Sequence, residues 1–286
     1  MPAAAVGLVA MAAVFHASWN LITKRTGGGI SFLWLFGVAA SLLLLPVSLI
    51  EIQRMDRAFN RDDLVAVIGS GFIHVFYFSL LQGGYRNGDL SVVYPVARGL
   101  GPLLAASIGI AVLGDRPGPL AILGGIALLV GVLGMSGISI NRLRLDTSVV
   151  LGLLCGVSIC CYTLWDRRAV ATLELPPVFY YWSSTLAYTV FITPAIFRAP
   201  QRPWQSDFIR ARWRAAIAVA ALSGASYSLV LTAMTMAPLS YVATLRESSI
   251  LVATILGVWF LGESMSTRKL IAAGSIVVGI VGLALG

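Results

Sequence analysis

The sequence predicts an all-α membrane protein with ten transmembrane helices arranged as two inverted five-helix repeats. Three observations predict this fold class. The 286 residues are 58% hydrophobic and only 11% charged, whereas soluble domains carry about 25% charged residues. Apolar stretches recur along the chain, and each reaches the length of about 18 residues that a membrane-spanning helix needs. The second half of the chain also repeats sequence features of the first half.

The apolar segments and the turns between them define the predicted helices. Short turn-like stretches such as "TGGGIS" and "GDRPGP" separate most of them. Two longer connections, "EIQRMDRAFNRDD" and "FRAPQRPWQSDFIRARWR", are polar and basic but too short to form domains. The predicted spans cover residues 3–23, 31–50, 63–84, 90–113, 118–138, 148–167, 175–197, 213–236, 239–262 and 267–285.

The internal repeat divides the chain into domains at residues 1–140 and 146–286. "SWNLITKR" at 18–25 matches "CYTLWDRR" at 161–168, and "RGLGPLLAASIGIAVLGDR" at 98–116 matches "RESSILVATILGVWFLGES" at 246–264. "VGVLGM" at 130–135 likewise matches "VGIVGL" at 278–283. Because each half has an odd number of spans, the second half enters the membrane from the opposite face. Inverted repeats of this kind are typical of secondary transporters.

Charge and composition exclude several functions. The net charge of +8 comes from Lys and Arg in the connections, where they set topology and contact lipid headgroups, so the lipid bilayer and not nucleic acid is the expected partner. Cys155, Cys160 and Cys161 share one apolar segment and predict neither a disulfide framework nor a zinc site. No catalytic triad or phosphate-binding loop is present, so the sequence predicts no enzyme, metal or cofactor.

Two arginines within apolar segments are the main candidates for binding an anionic substrate group. Arg98 follows Tyr94, which is a further substrate-binding candidate, and Pro95, which is expected to break the helix. Arg246 occupies the matching position in the second repeat, with Glu247 beside it. A charge placed deep in the membrane faces a cavity or a partner. Each arginine therefore either contacts the substrate or has a structural role, and Glu247 is the main candidate for an acidic group inside the membrane.

Aromatic and weakly polar residues on four segments predict the remainder of a substrate cavity. His16, Trp19 and Asn20 are spaced to lie on one helical face. The other candidates are His74 and Tyr77 on the third segment, Tyr162 and Trp165 on the sixth, and Tyr227 on the eighth. Such a lining suits a small amphipathic molecule. Packing is the alternative role for each residue, and an interfacial aromatic belt is the expected location of Tyr180, Tyr181 and Trp182.

Several motifs together resemble the drug/metabolite transporter superfamily, in particular its ten-helix EamA-type permeases. They are "HASWNLITKR" in the first segment, "GDLSVVYPVARG" opening the fourth, "PLSYVATLRESS" opening the ninth, and "LGD" and "LGE" closing the fourth and ninth. The resemblance covers essentially the whole chain. It implies a transporter, often an exporter of amino acids, other metabolites or drugs, in the cell (inner) membrane with both termini in the cytoplasm.

These observations predict a permease of small metabolites that works by alternating access, as a monomer or weak homodimer. A flippase for a lipid-linked substrate and a non-transporting membrane scaffold are the alternatives. The scaffold predicts a solid core, whereas the permease predicts a cavity between the repeats. Two further expectations concern acidic residues: Asp115 and Glu263 cap the helices that follow them, and Asp166 lies near a span end beside Arg167 and Arg168.

Overall fold

A computed structural model describes residues 1–27, 29–87, 90–136, 147–199, 203–261 and 264–286, and within these ranges the chain is helical and contains no strand. The helices are α1 Ala3–Thr26, α2 Ile30–Gln53, α3 Arg61–Asn87, α4 Leu90–Ala111, α5 Pro119–Ser136, α6 Thr147–Arg167, α7 Pro177–Ile196, α8 Ser206–Met236, α9 Leu239–Leu245, α10 Ser249–Leu261 and α11 Thr267–Leu285. A π-helical turn at Arg168–Thr172 extends α6, and a 3-10 turn at Arg246–Ser248 joins α9 to α10.

Eight helical stretches in the described part of the chain are long and apolar enough to cross a membrane, and Pro119–Met135 is a shorter apolar helix. The helix break in the structure lies at a different position from the predicted one. The predicted helix break at Pro95 is wrong, because α4 continues through Pro95 and Pro102. The break lies instead in the second half, where the helix geometry changes at Arg246.

Eight helical elements pack around a common axis. In order around the ring they are α1, α8, α2, α7, α3, α6, α4 and the α9–α10 pair, which returns to α1. Helices α5 and α11 pack against each other and contact the ring at α4 and α9. The ring therefore combines helices from the first and second halves of the chain, and its centre is the space that these helices share.

Helices α5 and α11 approach closely because glycines face each other. A Cβ on Gly279 would lie 2.5 Å from the Cβ of Leu128 and 2.7 Å from the carbonyl oxygen of Gly124. A Cβ on Gly131 would lie 2.6 Å from a side-chain carbon of Ile276. Small residues at such crossings allow helix backbones to pack tightly in membranes.

Replacing Gly279 with alanine should destabilise the protein, because backbone atoms block the added methyl group. Overpacking of this kind costs about 1–3 kcal/mol. Thermal unfolding in detergent would show a lowered midpoint for Gly279→Ala. Gly274 lies on the same helix, and a Cβ added there would have no atom within 4 Å, so Gly274→Ala is the matched control. An equal effect of both substitutions would contradict the close packing.

Polar contacts join the loops at the face of the ring where α3 begins and α6 ends. The Arg57 guanidinium donates to both carboxylate oxygens of Asp63, at 2.6 and 2.8 Å, and also to the carbonyl oxygen of Leu173. The hydrogen bond with Asp63 raises the pKa of Arg57. Glu51 accepts a hydrogen bond of 2.8 Å from the backbone nitrogen of Phe179 at the start of α7. These contacts tie the first half of the chain to the second at this face.

Candidate functional site: a central aromatic cavity

A cavity of about 260 Å³ lies at the centre of the helix ring. Its lining comes from α1, α2, α3, α4, α6, α7, α8 and the 3-10 turn. At one end, here called the open end, it reaches Thr23, Gly29 and Gln82 near the α1–α2 and α3–α4 connections. Towards the opposite, closed end it stops at a layer containing Ser70 and Tyr180. The volume exceeds the ~150 Å³ cavity that holds a benzene molecule, so a small metabolite fits.

The structure brings most of the predicted site residues together around this cavity. The lining includes His16, Trp19, Asn20, His74, Tyr77, Tyr94, Arg98, Tyr162, Tyr227 and Arg246. Two predicted residues lie outside the lining. Trp165 donates from its ring nitrogen to the carbonyl oxygen of Ala66 at 2.8 Å, and Glu247 is buried behind the wall with its side chain 2% exposed.

Arg98 forms an ion pair across the two halves of the chain. Its Nε lies 3.0 Å from Oε2 of Glu247, although the angles do not meet those of a hydrogen bond. Its Nη2 donates to the hydroxyl oxygen of Ser249 at 3.0 Å. Both charged side chains are buried, so the pair is needed to offset the cost of removing them from water. The charge of Arg98 is thereby balanced inside the protein.

Arg246 is held differently. Its guanidinium carbon lies 5.2 Å from the ring centre of Tyr227 and 5.9 Å from that of Tyr162. Among the described residues, no carboxylate oxygen lies within 4.0 Å of its nitrogens. The repeat explains this asymmetry, because the position that matches Glu247 in the first half is Gly99. The cavity wall therefore carries one guanidinium that forms no direct ion pair with a described carboxylate.

Stacked aromatic rings form one side of the cavity. The ring of His74 stacks on Tyr162 with centroids 4.7 Å apart, and Tyr77 meets Tyr162 edge-on at 5.7 Å. Tyr181 and Tyr227 continue this wall with centroids 5.8 Å apart. Such faces favour flat apolar groups, and a cation over them is attracted by the ring quadrupole. The wall can hold the apolar part of a ligand next to Arg246.

The α1 side of the cavity follows the predicted helical face. His16 and Trp19 meet edge-on with ring centroids 5.1 Å apart. The side-chain nitrogen of Asn20 donates to the carbonyl oxygen of His16 at 2.7 Å, which leaves its side-chain oxygen as the group that can accept from a ligand. The α1 side of the cavity therefore contributes weakly polar groups to the lining but no carboxylate.

The assignment of Tyr180 and Tyr181 to an interfacial belt is wrong. Tyr180 is fully buried and both tyrosines line the cavity. Trp182 donates from its ring nitrogen to the carbonyl oxygen of Ser41 at 2.7 Å. Composition could not separate these possibilities, because Tyr and Trp near a helix start are also typical of membrane interfaces.

Asp166 lies in a different environment from the exposed span end that its charged sequence neighbours suggest. It is fully buried, although Arg167 and Arg168 follow it. The π-helical turn continues the span to Thr172, so Asp166 lies inside the helical stretch and not at its end. Its carboxylate accepts hydrogen bonds from Ser70, Tyr180 and Tyr227. All three donors line the cavity, while Asp166 lies behind them.

Asp115 caps a helix other than the one predicted. Its Oδ2 accepts a hydrogen bond of 2.8 Å from the backbone nitrogen of Ser240 in the first turn of α9, not from the start of α5. Asp115, the acidic residue of the "LGD" motif in the first half of the chain, thus stabilises a helix of the second half. Glu263, its repeat counterpart, lies outside the described residues.

Cysteine substitutions on α1 should report which face of the helix meets water. With Cys155, Cys160 and Cys161 replaced, a cysteine at His16, Trp19 or Asn20 should react with a water-soluble thiol reagent, because these positions line the cavity. Val14 lies on the outer surface of the helix bundle, where lipid excludes the reagent, so Val14→Cys should stay unmodified. Equal protection of positions 14, 16, 19 and 20 in reagent-labelling experiments would contradict a water-filled cavity.

Comparisons with known proteins support the same fold along the whole chain. The chain matches the EamA-like transporter family over residues 3–137 and again over residues 146–285. An uncharacterized transporter, YwfM of Bacillus subtilis (strain 168), is 26% identical over 256 residues, which cover 87% of this chain and 81% of that protein. A solved crystal structure with 20% sequence identity superposes with a TM-score of 0.79, covering 100% of this chain and 98% of the other, and so shares its fold.

The two family matches, the apolar helices and the central cavity agree with one another. Members of this family are transporters and not enzymes. The chain belongs to the EamA-like transporter family, and the protein is an integral multi-pass membrane transporter.

Proposed function

We propose that this transporter is an alternating-access permease that exports small amphipathic metabolites carrying a carboxylate, such as amino acids or related compounds. The observation that carries the proposal is the Arg246 guanidinium, which faces an aromatic cavity and has no carboxylate partner among the described residues. A planar guanidinium pairs well with a carboxylate. Export is the direction that the resemblance to the family favours.

The proposal includes ten spans built from two inverted five-helix repeats, residues 1–140 and 146–286. The helix ring supports this architecture, because exchanging the halves maps the contact of α1 with α8 onto that of α6 with α3. It also maps the α5–α11 contact onto itself, because Gly131 packs against Ile276 and Gly279 against Leu128, and these two pairs occupy matching places in the repeat. A central cavity between such repeats is where secondary transporters bind their substrates.

Charge in the cavity favours an anionic or zwitterionic substrate over a cationic one. Glu247 is paired with Arg98 and lies outside the lining, so it does not offer a free carboxylate to a cation. Asp166 is likewise screened from the cavity by its three hydroxyl donors. Of the two arginines in the lining, Arg246 is the one without a direct ion pair to a described carboxylate. A carboxylate beside it gains charge-assisted hydrogen bonds.

The cavity also bears on the two alternative functions. A scaffold predicts a solid core, whereas Arg98, Arg246, His16 and Trp19 all line one cavity. A flippase for a lipid-linked substrate needs room for an extended chain, and about 260 Å³ suits a small molecule better. Both comparisons favour the permease.

We further propose that the protein lies in the cell membrane with both termini in the cytoplasm, so that the open end of the cavity faces outward. The family resemblance supports this orientation. Lys and Arg are more frequent in the connections that would then face outward, mainly in the second half, and that excess opposes it. If both termini are cytoplasmic, a C-terminal reporter that works only outside the cytoplasm should be inactive. Strong activity of this reporter would show that the orientation is the opposite one.

A flux assay in reconstituted vesicles tests the proposed substrate class. L-phenylalanine, phenyllactate and 2-phenylethylamine share an aromatic ring but differ in charge. Vesicles with the protein should move the two carboxylates faster than protein-free vesicles, and should not move the amine. Transport of the amine alone, or of no carboxylate in a panel that includes aliphatic amino acids, would overturn the proposal.

A further inference from the structure

Asp166 is bound by hydroxyl groups from three other helices. Ser70 of α3 donates to Oδ1 at 2.8 Å, and Tyr180 of α7 donates to the same oxygen at 2.6 Å. Tyr227 of α8 donates to Oδ2. Because Asp166 is on α6, one carboxylate holds four helices together directly behind the cavity wall.

The carboxylate is not neutralised by a cation in direct contact. Within the described part of the chain no Lys or Arg nitrogen lies within 4.0 Å of it. Several charged and titratable groups lie on the elements packed around it. They include Cys160, Cys161, Tyr162, Arg167 and Arg168 on its own helix and its π turn, His74 and Tyr77 on α3, Tyr180, Tyr181 and Tyr188 on α7, Tyr227 on α8, Tyr94 and Arg98 on α4, and Arg246 on the 3-10 turn. Arg167 donates to the carbonyl oxygen of Ala237 and Arg168 lies over the ring of Trp165, so neither pairs with Asp166.

The ionised form of Asp166 is the one that accepts hydrogen bonds from all three hydroxyl groups at once. An ionised carboxylate accepts on both oxygens, whereas a protonated one must place its own O–H and loses acceptor capacity on that oxygen. Hydrogen bonds to a charged group are also stronger than those to a neutral one. Protonation therefore weakens the contacts to Ser70, Tyr180 and Tyr227 together, and with them the attachment of α3, α7 and α8 to α6.

A hydrogen-bonded path links the cavity to this carboxylate. Nδ1 of His74 lies 2.9 Å from the carbonyl oxygen of Ser70, which can only accept, so Nδ1 carries a hydrogen. The same nitrogen lies 3.3 Å from the hydroxyl of Ser70, whose hydrogen points to Asp166. When Nε2 of His74 takes up a proton from cavity water, the Nδ1 hydrogen can pass to the Ser70 oxygen while the Ser70 hydrogen moves to Oδ1 of Asp166, which leaves His74 neutral with its hydrogen on Nε2.

We propose that Asp166 is the proton-binding site of the transport cycle: the ionised carboxylate keeps the closed end shut, and the bound proton releases α3, α7 and α8 so that this end opens. The inference rests on the proposed alternating-access function. With the open end outward, protons enter through the cavity and leave at the cytoplasmic end. The conformational change that carries the proton then runs in the direction opposite to the change that exports the substrate. Outward movement of the substrate is thereby coupled to inward movement of a proton.

A cysteine behind the carboxylate reports opening of the closed end without any substrate. Ala66 is 1% exposed and lies one turn of α3 beyond Ser70, towards the closed end. In a background without Cys155, Cys160 and Cys161, Ala66→Cys should react slowly with a water-soluble thiol reagent in neutral buffer. Acidification should increase the labelling rate about tenfold or more, because hydrogen bonds to a charged group are lost.

Substitutions of the site separate a proton switch from general acid sensitivity. Asp166→Asn removes the titrating charge, so Ala66→Cys should be labelled quickly in neutral buffer and acid should have no further effect. Tyr180→Phe removes one donor to the ionised form, so it should move the labelling transition to higher pH. Asp115→Asn alters another buried carboxylate, outside the cavity, and should leave the acid response intact.

The outcomes distinguish this inference from the proposed function. An acid response that survives in Asp166→Asn, or a transition unmoved or lowered by Tyr180→Phe, would overturn the proton site. The labelling needs no substrate, so it stands even if no carboxylate is transported in the flux assay. Carboxylate flux without any change in Ala66→Cys labelling would support the substrate class and overturn the role of Asp166.

Discussion

Replacing Arg246 with glutamine should weaken carboxylate binding by about 10- to 100-fold, because a hydrogen bond to a charged group contributes about 1.5–3 kcal/mol. The guanidinium lies among Tyr162 and Tyr227 without a carboxylate partner in the described residues. The direct ion pair between Arg98 and the buried Glu247 remains in this variant, so the protein should fold and purify. Binding of phenyllactate to purified protein, measured by calorimetry, gives the change in affinity.

Two further variants make this result specific. Arg246→Lys keeps the charge but loses the planar fork, so it should recover only part of the affinity. Arg212 contacts Phe208 at the start of α8, away from the cavity, and Arg212→Gln should bind phenyllactate like the unaltered protein. Wild-type affinity in both Arg246 variants would show that this arginine has only a structural role.

Replacing Arg98 with methionine should destabilise the protein by about 3–5 kcal/mol, because it leaves the buried Glu247 carboxylate without its counterion. The double variant Arg98→Met, Glu247→Leu removes both charges and should regain most of the lost stability. Thermal unfolding in detergent, followed for the two single variants and the double variant, measures this coupling. Equal destabilisation by the double variant and the sum of the single variants would contradict a direct ion pair.

Hydropathy and the repeat predict most of the helix positions, because each apolar segment must form a helix to satisfy its backbone in lipid. The start of α8 is the clearest exception, since the helix begins at Ser206 and not near residue 213. Its first turns carry arginines that lower the hydropathy, yet Phe208 is buried there and Arg212 covers its ring at 4.5 Å. Hydropathy detects the membrane-crossing part of a helix and not its polar extension.

The candidate site is predictable where residue type and repeat position agree, as at Arg98 and Arg246. The different environments of these two arginines depend on which side chain of the other half lies opposite, and sequence spacing does not give that contact. Glu247 adjoins Arg246 in the chain but pairs with Arg98 across the cavity wall. The sequence places Asp166 at a span end because the π-helical extension of α6 has no signal in hydropathy.

Distances between spin labels at the two ends of one helix pair test alternating access most directly. Helices α1 and α3 face each other across the ring; labels at Thr23 and Gln82 report the open end, and labels at Ala3 and Asp62 report the closed end. Pulsed electron spin resonance on vesicles at neutral and acidic pH should show the Thr23–Gln82 distance shortening in the same population in which the Ala3–Asp62 distance lengthens. Two distances that stay fixed under all conditions, or that lengthen together as in a channel, would contradict alternating access.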